Sequence, residues 1–226
     1  MSKDKPHYHG HRQRLKERLT RDPRALADYE ILELLLASVL PRRDTKPLAK
    51  TLMEAYGSLG AVMQAQPEDL KRFEGAGPAV TAQWHLMREL LARVAEDGMR
   101  SREVLGDPDA VARATMARLG GCRTEEFWVA LLDTRNRVIA WERVGAGTVD
   151  RVEAYPREVM ALALRHKARS VILVHNHPGG DPTPSDDDQL LTLGMVRAAS
   201  ALDVLVADHV IVSETDFFSF SDKGMI

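Results

Sequence analysis

Residues 171–189 read VILVHNHPGGDPTPSDDDQ, and this stretch decides how the second half of the chain must fold. Val171 to Val174 form a short, unbroken run rich in β-branched residues, which reads as a buried strand. Side chains two apart on a strand project to the same face, so His175 and His177 stand side by side where the strand ends. Pro178 biases His177 toward an extended backbone, and Gly179, Gly180, Pro182 and Pro184 disfavour regular structure as far as Ser185. A new helix begins there, with Asp188 in its first turn.

Two imidazoles and one carboxylate leave a tetrahedral Zn2+ with one open position, the pattern of catalytic zinc sites. Zinc brings the pKa of a coordinated water to about 7 and polarises carbonyl groups, so hydrolysis is the chemistry expected. His175, His177 and Asp188 are therefore the expected ligands of one zinc ion per chain. Ser185 with Asp188 is also an S-x-x-D capping box, and capping alone accounts for that pair. It does not account for two alternating histidines before a glycine-rich bend. Ser185 is the candidate donor to the oxyanion of a tetrahedral intermediate. The letters His-Asn-His are no evidence for the HNH nuclease motif, whose residues come from separated positions.

A hydrolase of this type also needs a carboxylate that takes a proton from the attacking water and passes it to the leaving group. Glu142, Glu153 and Glu158 are available, and Glu142 is preferred because it interrupts the otherwise apolar strand RVIAWERV, where an inward acid is costly unless it serves the site. The alternative is a Glu142 that faces outward. Asp208 and His209, in the later strand, are candidate partners of the metal-bound imidazoles.

The spacing H-x-H, seven residues, S-x-x-D resembles the JAMM motif of the MPN (JAB1-like) metallohydrolases. More narrowly, HNHPGGDPTPSDDD, the preceding GT…YPREVM segment and the later DHVIVS resemble the RadC family over nearly the whole chain. The resemblance implies a C-terminal α/β three-layer MPN/JAMM domain, cytidine-deaminase-like in fold. It also implies an N-terminal all-α region, helix-hairpin-helix-like, and a general base on an early strand before the helix that precedes the histidines. The label of DNA repair that goes with RadC-like proteins enters through resemblance alone.

Composition sets the frame. A chain of 226 residues with 44% hydrophobic and 28% charged content is that of a globular protein, and no apolar run approaches the ~20 residues of a membrane span. The start, MSKDKPHYHGHRQR, has no hydrophobic segment after its basic residues, so a cytoplasmic location is expected. Cys122 is the single cysteine, which rules out an internal disulfide and a cysteine zinc cluster. Residues 1–100 carry 17 Lys/Arg against 14 Asp/Glu and the remainder 14 against 19, so the first half is the more basic. That imbalance suits a nucleic-acid surface and equally suits scattered charge on solvated helices.

Residues 1–20 are expected to be a flexible basic segment, with a short helix over HRQRLKERLT presenting Arg12, Arg14, Lys16 and Arg18 to phosphate. Asp28 is expected to cap YEILELLLASVL, and Asp44 to cap the helix that ends at Gly57. Gly75 and Gly77 form a turn between two helices, where backbone N–H groups could meet a phosphate; steric need for glycine in a tight turn explains them as well. Trp84 and His85 read as packing residues. The expected domains are a helical unit over 21–98, a linker over 99–106 around Gly98 and Gly106, and an MPN/JAMM domain over 107–226.

The leading expectation is thus a zinc metallopeptidase or isopeptidase with a peptide or protein substrate, associated with DNA through its helical half and compatible with oligomerisation. Two alternatives stand beside it: a metal-dependent nuclease or phosphodiesterase, and a DNA-binding accessory module without hydrolytic activity.

Overall fold

The computed structural model describes residues 7–100, 107–146 and 154–226. The chain divides into two compact units, 1–88 and 89–226.

The first unit is helical: α1 (His7–Arg21), α2 (Asp28–Val39), α3 (Lys46–Tyr56), α4 (Leu59–Gln64), α5 (Pro67–Leu70) and the start of α6 (Pro78–Arg100). Leu32 and Leu36 of α2 meet Leu48 and Leu52 of α3, and Val62, Leu70, Val80 and Trp84 complete the core. Trp84 is fully buried with its indole N–H donated to the Val62 carbonyl at 2.9 Å, so its role is packing.

Three local expectations need correction here. The short helix expected over HRQRLKERLT is present within α1, but the flexible character expected of residues 1–20 does not hold from His7 onward, because Leu15 is buried and the Arg12 guanidinium is held beneath the end of α2; residues 1–6 lie outside the described part. Asp28 is not the cap of α2, since Ala27 holds that position and Glu30 reaches back to the Ala27 N–H at 3.0 Å. Gly98 does not break the pattern: α6 continues to Arg100, with Met99 in the core of the second unit and Glu96 paired to Arg118 at 2.5 Å. Of the expected linker, residues 101–106 lie outside the described part.

The second unit comprises α7 (Pro108–Leu119), β1 (Glu126–Leu132), β2 (Val138–Ala146), α8 (Pro156–His166), β3 (Ser170–Asn176), α9 (Asp186–Ser200), β4 (Leu205–Val212) and β5 (Phe217–Ser219). The sheet order is β2-β1-β3-β4-β5, with β3 and β4 parallel and the other neighbours antiparallel. Parallel neighbours need a crossover, and α9 provides it. β3 is buried over its whole length because both of its faces are covered. Ile172 and Val174 pack with α7 and the end of α6, whereas Val171 and Leu173 pack with α8 and α9. This mixed sheet between helical layers positions the site, since the carboxyl end of β3 and the amino end of α9 meet at one edge. Among the described residues no helix is long and apolar enough to cross a membrane.

Candidate metal centre

His175 is the penultimate residue of β3, and His177 stays on the strand path because its N–H donates to the Val212 carbonyl at 2.8 Å, one rung past the end of the ladder. Alternation then sends both imidazoles to one side, where Asp188 arrives from the first turn of α9. His175 Nε2 lies 3.1 Å from Asp188 Oδ1, His177 Nε2 lies 3.4 Å from Asp188 Oδ2, and the two Nε2 atoms are 3.0 Å apart. One donor atom from each residue falls within 4.8 Å of the others, a group able to hold a metal ion.

Hydrogen bonds behind the rings fix which nitrogens face this point. The Thr192 hydroxyl donates its only proton to the Asp188 carbonyl at 2.6 Å, so toward His209 Nδ1, also at 2.6 Å, it accepts. His209 is fully buried between Phe127 and Phe220, and desolvation drives its pKa well below the ordinary value, so the ring is neutral. With Nδ1 protonated, its Nε2 accepts from His175 Nδ1–H at 2.9 Å. On the other ring His177 Nδ1 donates to the Asp181 carbonyl at 2.8 Å. In both rings Nδ1 is thus engaged behind the site, and Nε2 faces the other Nε2 and a carboxylate, a convergence that requires a cation: a proton, or a metal ion for which this nitrogen, nitrogen and oxygen set is suited. The residues fit zinc.

The electrostatics agree. Burial opposes the Asp188 carboxylate, but bonds from His175, His177 and Ser185 outweigh it and hold the group well below the usual carboxylate range. The hydrogen bond to Asp188 raises His177 above its ordinary value against a desolvation cost, and the charge of Glu125 adds to the rise. The N-terminus of α9 adds a favourable partial positive charge beside Asp188.

An open cleft of about 1170 Å3 surrounds these groups and is lined also by Glu125, Tyr155, Ser185 and Leu190. Ser185 completes the capping box: it accepts from the Asp188 N–H at 3.1 Å and donates to Asp188 Oδ2 at 2.6 Å. Capping and a position at the cleft thus coexist. Glu142 does not line the cleft, and its assignment as base is corrected: it stands opposite Val129, its carboxylate bound by His166 at 2.8 Å and Arg165 at 3.0 Å near the end of α8. Those partners, rather than a metal site, are what make an acid tolerable on that strand.

Glu125 is the carboxylate that sequence reading missed. It precedes β1, and because Phe127 pairs with His175, alternation returns Glu125 to the same face one step nearer His177. That pairing joins segments about fifty residues apart, so no local pattern announces it.

Asp208 is likewise corrected. It binds Ser219 Oγ at 2.7 Å, the Ser221 N–H at 3.0 Å and the His209 N–H at 2.7 Å, tying down the chain after β4 rather than the candidate ligands His175, His177 and Asp188; burial raises its pKa. His209 reaches His175 without it. In the helical unit Arg12 is buried and donates to the Pro41, Leu40 and Arg43 carbonyls, and Arg18 forms a fork on both oxygens of Glu30, so these two are engaged in the fold rather than presented to phosphate. Arg14 and Lys16 are exposed on α1. Gly75 adopts φ +92°, as its turn demands, while Gly77 has open space where a Cβ would sit.

Comparison with known families agrees with this geometry. Residues 105–225, more than half of the chain, match the family model described as the RadC-like JAB domain, and the protein belongs to the RadC family of JAMM/MPN-type proteins.

Proposed function

We propose that the protein is a zinc-dependent hydrolase of amide bonds, acting on a peptide or isopeptide. The observation that carries this reading is the convergence of two Nε2 atoms and the Asp188 carboxylate on a cleft that also holds a second carboxylate, Glu125, and a hydroxyl, Ser185. Zinc, when bound, would supply Lewis acidity and water activation at neutral pH. His175, His177 and Asp188 hold the ion. Glu125 takes the proton released from the attacking water and returns it to the departing nitrogen. The Ser185 hydroxyl, by rotating about its Cβ–Oγ bond away from Asp188, donates to the carbonyl oxygen as charge grows there.

A hydroxyl donor beside one nitrogen-rich site suits a planar carbonyl better than a phosphodiester, for which paired metals or oxygen-rich coordination are usual. In the helical unit, Arg14, Lys16, Gly75 and Gly77 remain the groups proposed to meet DNA phosphates.

Elemental analysis of protein purified without added metal tests the reading, with His177→Ala as control. About one zinc per chain, lost in the variant, is expected, followed by cleavage of an amide in a panel of peptides, isopeptides and oligonucleotides. No zinc in the native protein after reconstitution overturns it, and cleavage of oligonucleotides alone replaces it with the phosphodiesterase reading.

A further inference from the structure

We propose that Asn176, the residue between the two histidines, is a positioning residue that holds Glu125 at the cleft by clamping the backbone on either side of it; this rests on the assignment of Glu125 above. Asn176 is buried, and alternation points it away from the metal ligands, so it contributes nothing to ion binding directly. Its side chain instead makes two bonds to the segment that enters β1. Oδ1 accepts from the Glu126 N–H at 2.9 Å, and Nδ2 donates to the Thr124 carbonyl at 3.1 Å. These two backbone groups flank Glu125.

The chemistry explains the residue type. Phe127–His175 is the last backbone rung between β1 and β3, and beyond it the strands need a donor and an acceptor to continue. A primary amide offers both in one plane, so Asn176 acts as an additional rung made by a side chain. Serine or threonine has one proton and one oxygen on a shorter reach, and aspartate has no donor for the Thr124 carbonyl. Because the clamp grows from the same turn of chain as His175 and His177, it sets Glu125 relative to the ligands without touching them. A displacement of about 1 Å in a catalytic group costs on the order of a hundredfold in rate, so such a clamp matters even though it contacts no substrate.

Two measurements on the full chain test this. The first is amide hydrogen exchange by NMR in Asn176→Ala, without metal. The Glu126 N–H is expected to exchange at least tenfold faster, while the Phe127 N–H keeps its protection. Unchanged exchange at Glu126 overturns the proposal. The second uses cobalt in place of zinc and follows the pH midpoint of its visible absorption band. Asn176→Ala is expected to bind one cobalt per chain and to move the midpoint in the direction seen for Glu125→Gln by at least half as much, with the double variant no further displaced than Glu125→Gln alone. An unmoved midpoint, or additive shifts, overturns the action through Glu125. Should Asn176→Ala fail to fold, Asn176→Ser adds no charge and reaches at most one of the two backbone groups; it is expected to move the midpoint likewise, and an unmoved midpoint overturns the proposal. If the native chain binds no metal, the hydrolase reading fails, and the exchange result still decides whether Asn176 clamps Glu125.

Discussion

His175 Nδ1 lies 2.9 Å from Nε2 of His209, a fully buried neutral histidine anchored on the Thr192 hydroxyl. The proposed ligand is therefore aimed by a second imidazole rather than by a carboxylate, and that ring is held flat against Phe220 with centroids 4.8 Å apart. A neutral acceptor orients His175 without adding negative charge next to Asp188.

If this chain of contacts sets the ligand, removing it weakens metal binding without removing a ligand. His209→Phe is expected to lower zinc affinity about 10–100-fold, the range seen when outer partners of ligands are lost. Thr192→Val, nearly isosteric, should act in the same direction with a smaller effect. Competition against a zinc chelator measures both, and unchanged affinity in both variants would remove His209 from the site.

The pH dependence of zinc stabilisation follows from His177. Its pKa is raised in the folded metal-free chain, so its protonated form contributes stability that is complete below the unfolded value and is lost as pH rises through the folded one. Zinc needs the neutral ring, so the ion competes with a proton at low pH and replaces it at high pH. The rise in Tm on adding zinc is expected to be larger at pH 8 than at pH 6, as thermal denaturation with and without the ion would show. A smaller rise at pH 8 would contradict the role given to His177.

Glu125 and Glu142 separate cleanly by mutation. Glu125→Gln is expected to retain zinc and reduce amide hydrolysis at least about a hundredfold, the usual contribution of general acid–base catalysis. Glu142→Gln should leave hydrolysis within about twofold of native and cost at most ~1 kcal/mol of stability, since its partners Arg165 and His166 lie at the surface of α8. Rates per bound zinc and urea denaturation read the two effects.

Of the five Lys and Arg residues of α1, the four read as a phosphate-facing set divide in the same way. Arg12→Ala removes a buried charged donor from three carbonyls and is expected to cost roughly 1.5–3 kcal/mol. Arg14→Ala with Lys16→Ala should leave stability unchanged, weaken binding to duplex DNA and reduce its salt dependence by about two phosphate contacts. An unaltered salt slope would end the DNA proposal for α1.

Much of this molecule is legible in its sequence because the signals are local. The apolar run before His175, the prolines and glycines after His177 and the capping pair Ser185–Asp188 act over a few residues each, so strand, bend and helix start follow from φ/ψ preferences and side-chain alternation. The same holds for the hairpin of β1 and β2 around Asp133 and for the helix opened by Pro156. Tertiary structure decided what those elements face. Glu142 and Glu125 are both acids at a strand; one meets His166 and the other lines the cleft with His175, His177 and Asp188 because β1 lies between β2 and β3, a pairing between distant segments. Arg12 and Arg18 read as a basic face until the carbonyls after α2 and the Glu30 carboxylate claim them. Short β5, three residues long, exists only because β4 offers it an edge. Local preference determined which residues share a turn or a strand; long-range pairing, where burial must satisfy every polar group, determined which of them share a site.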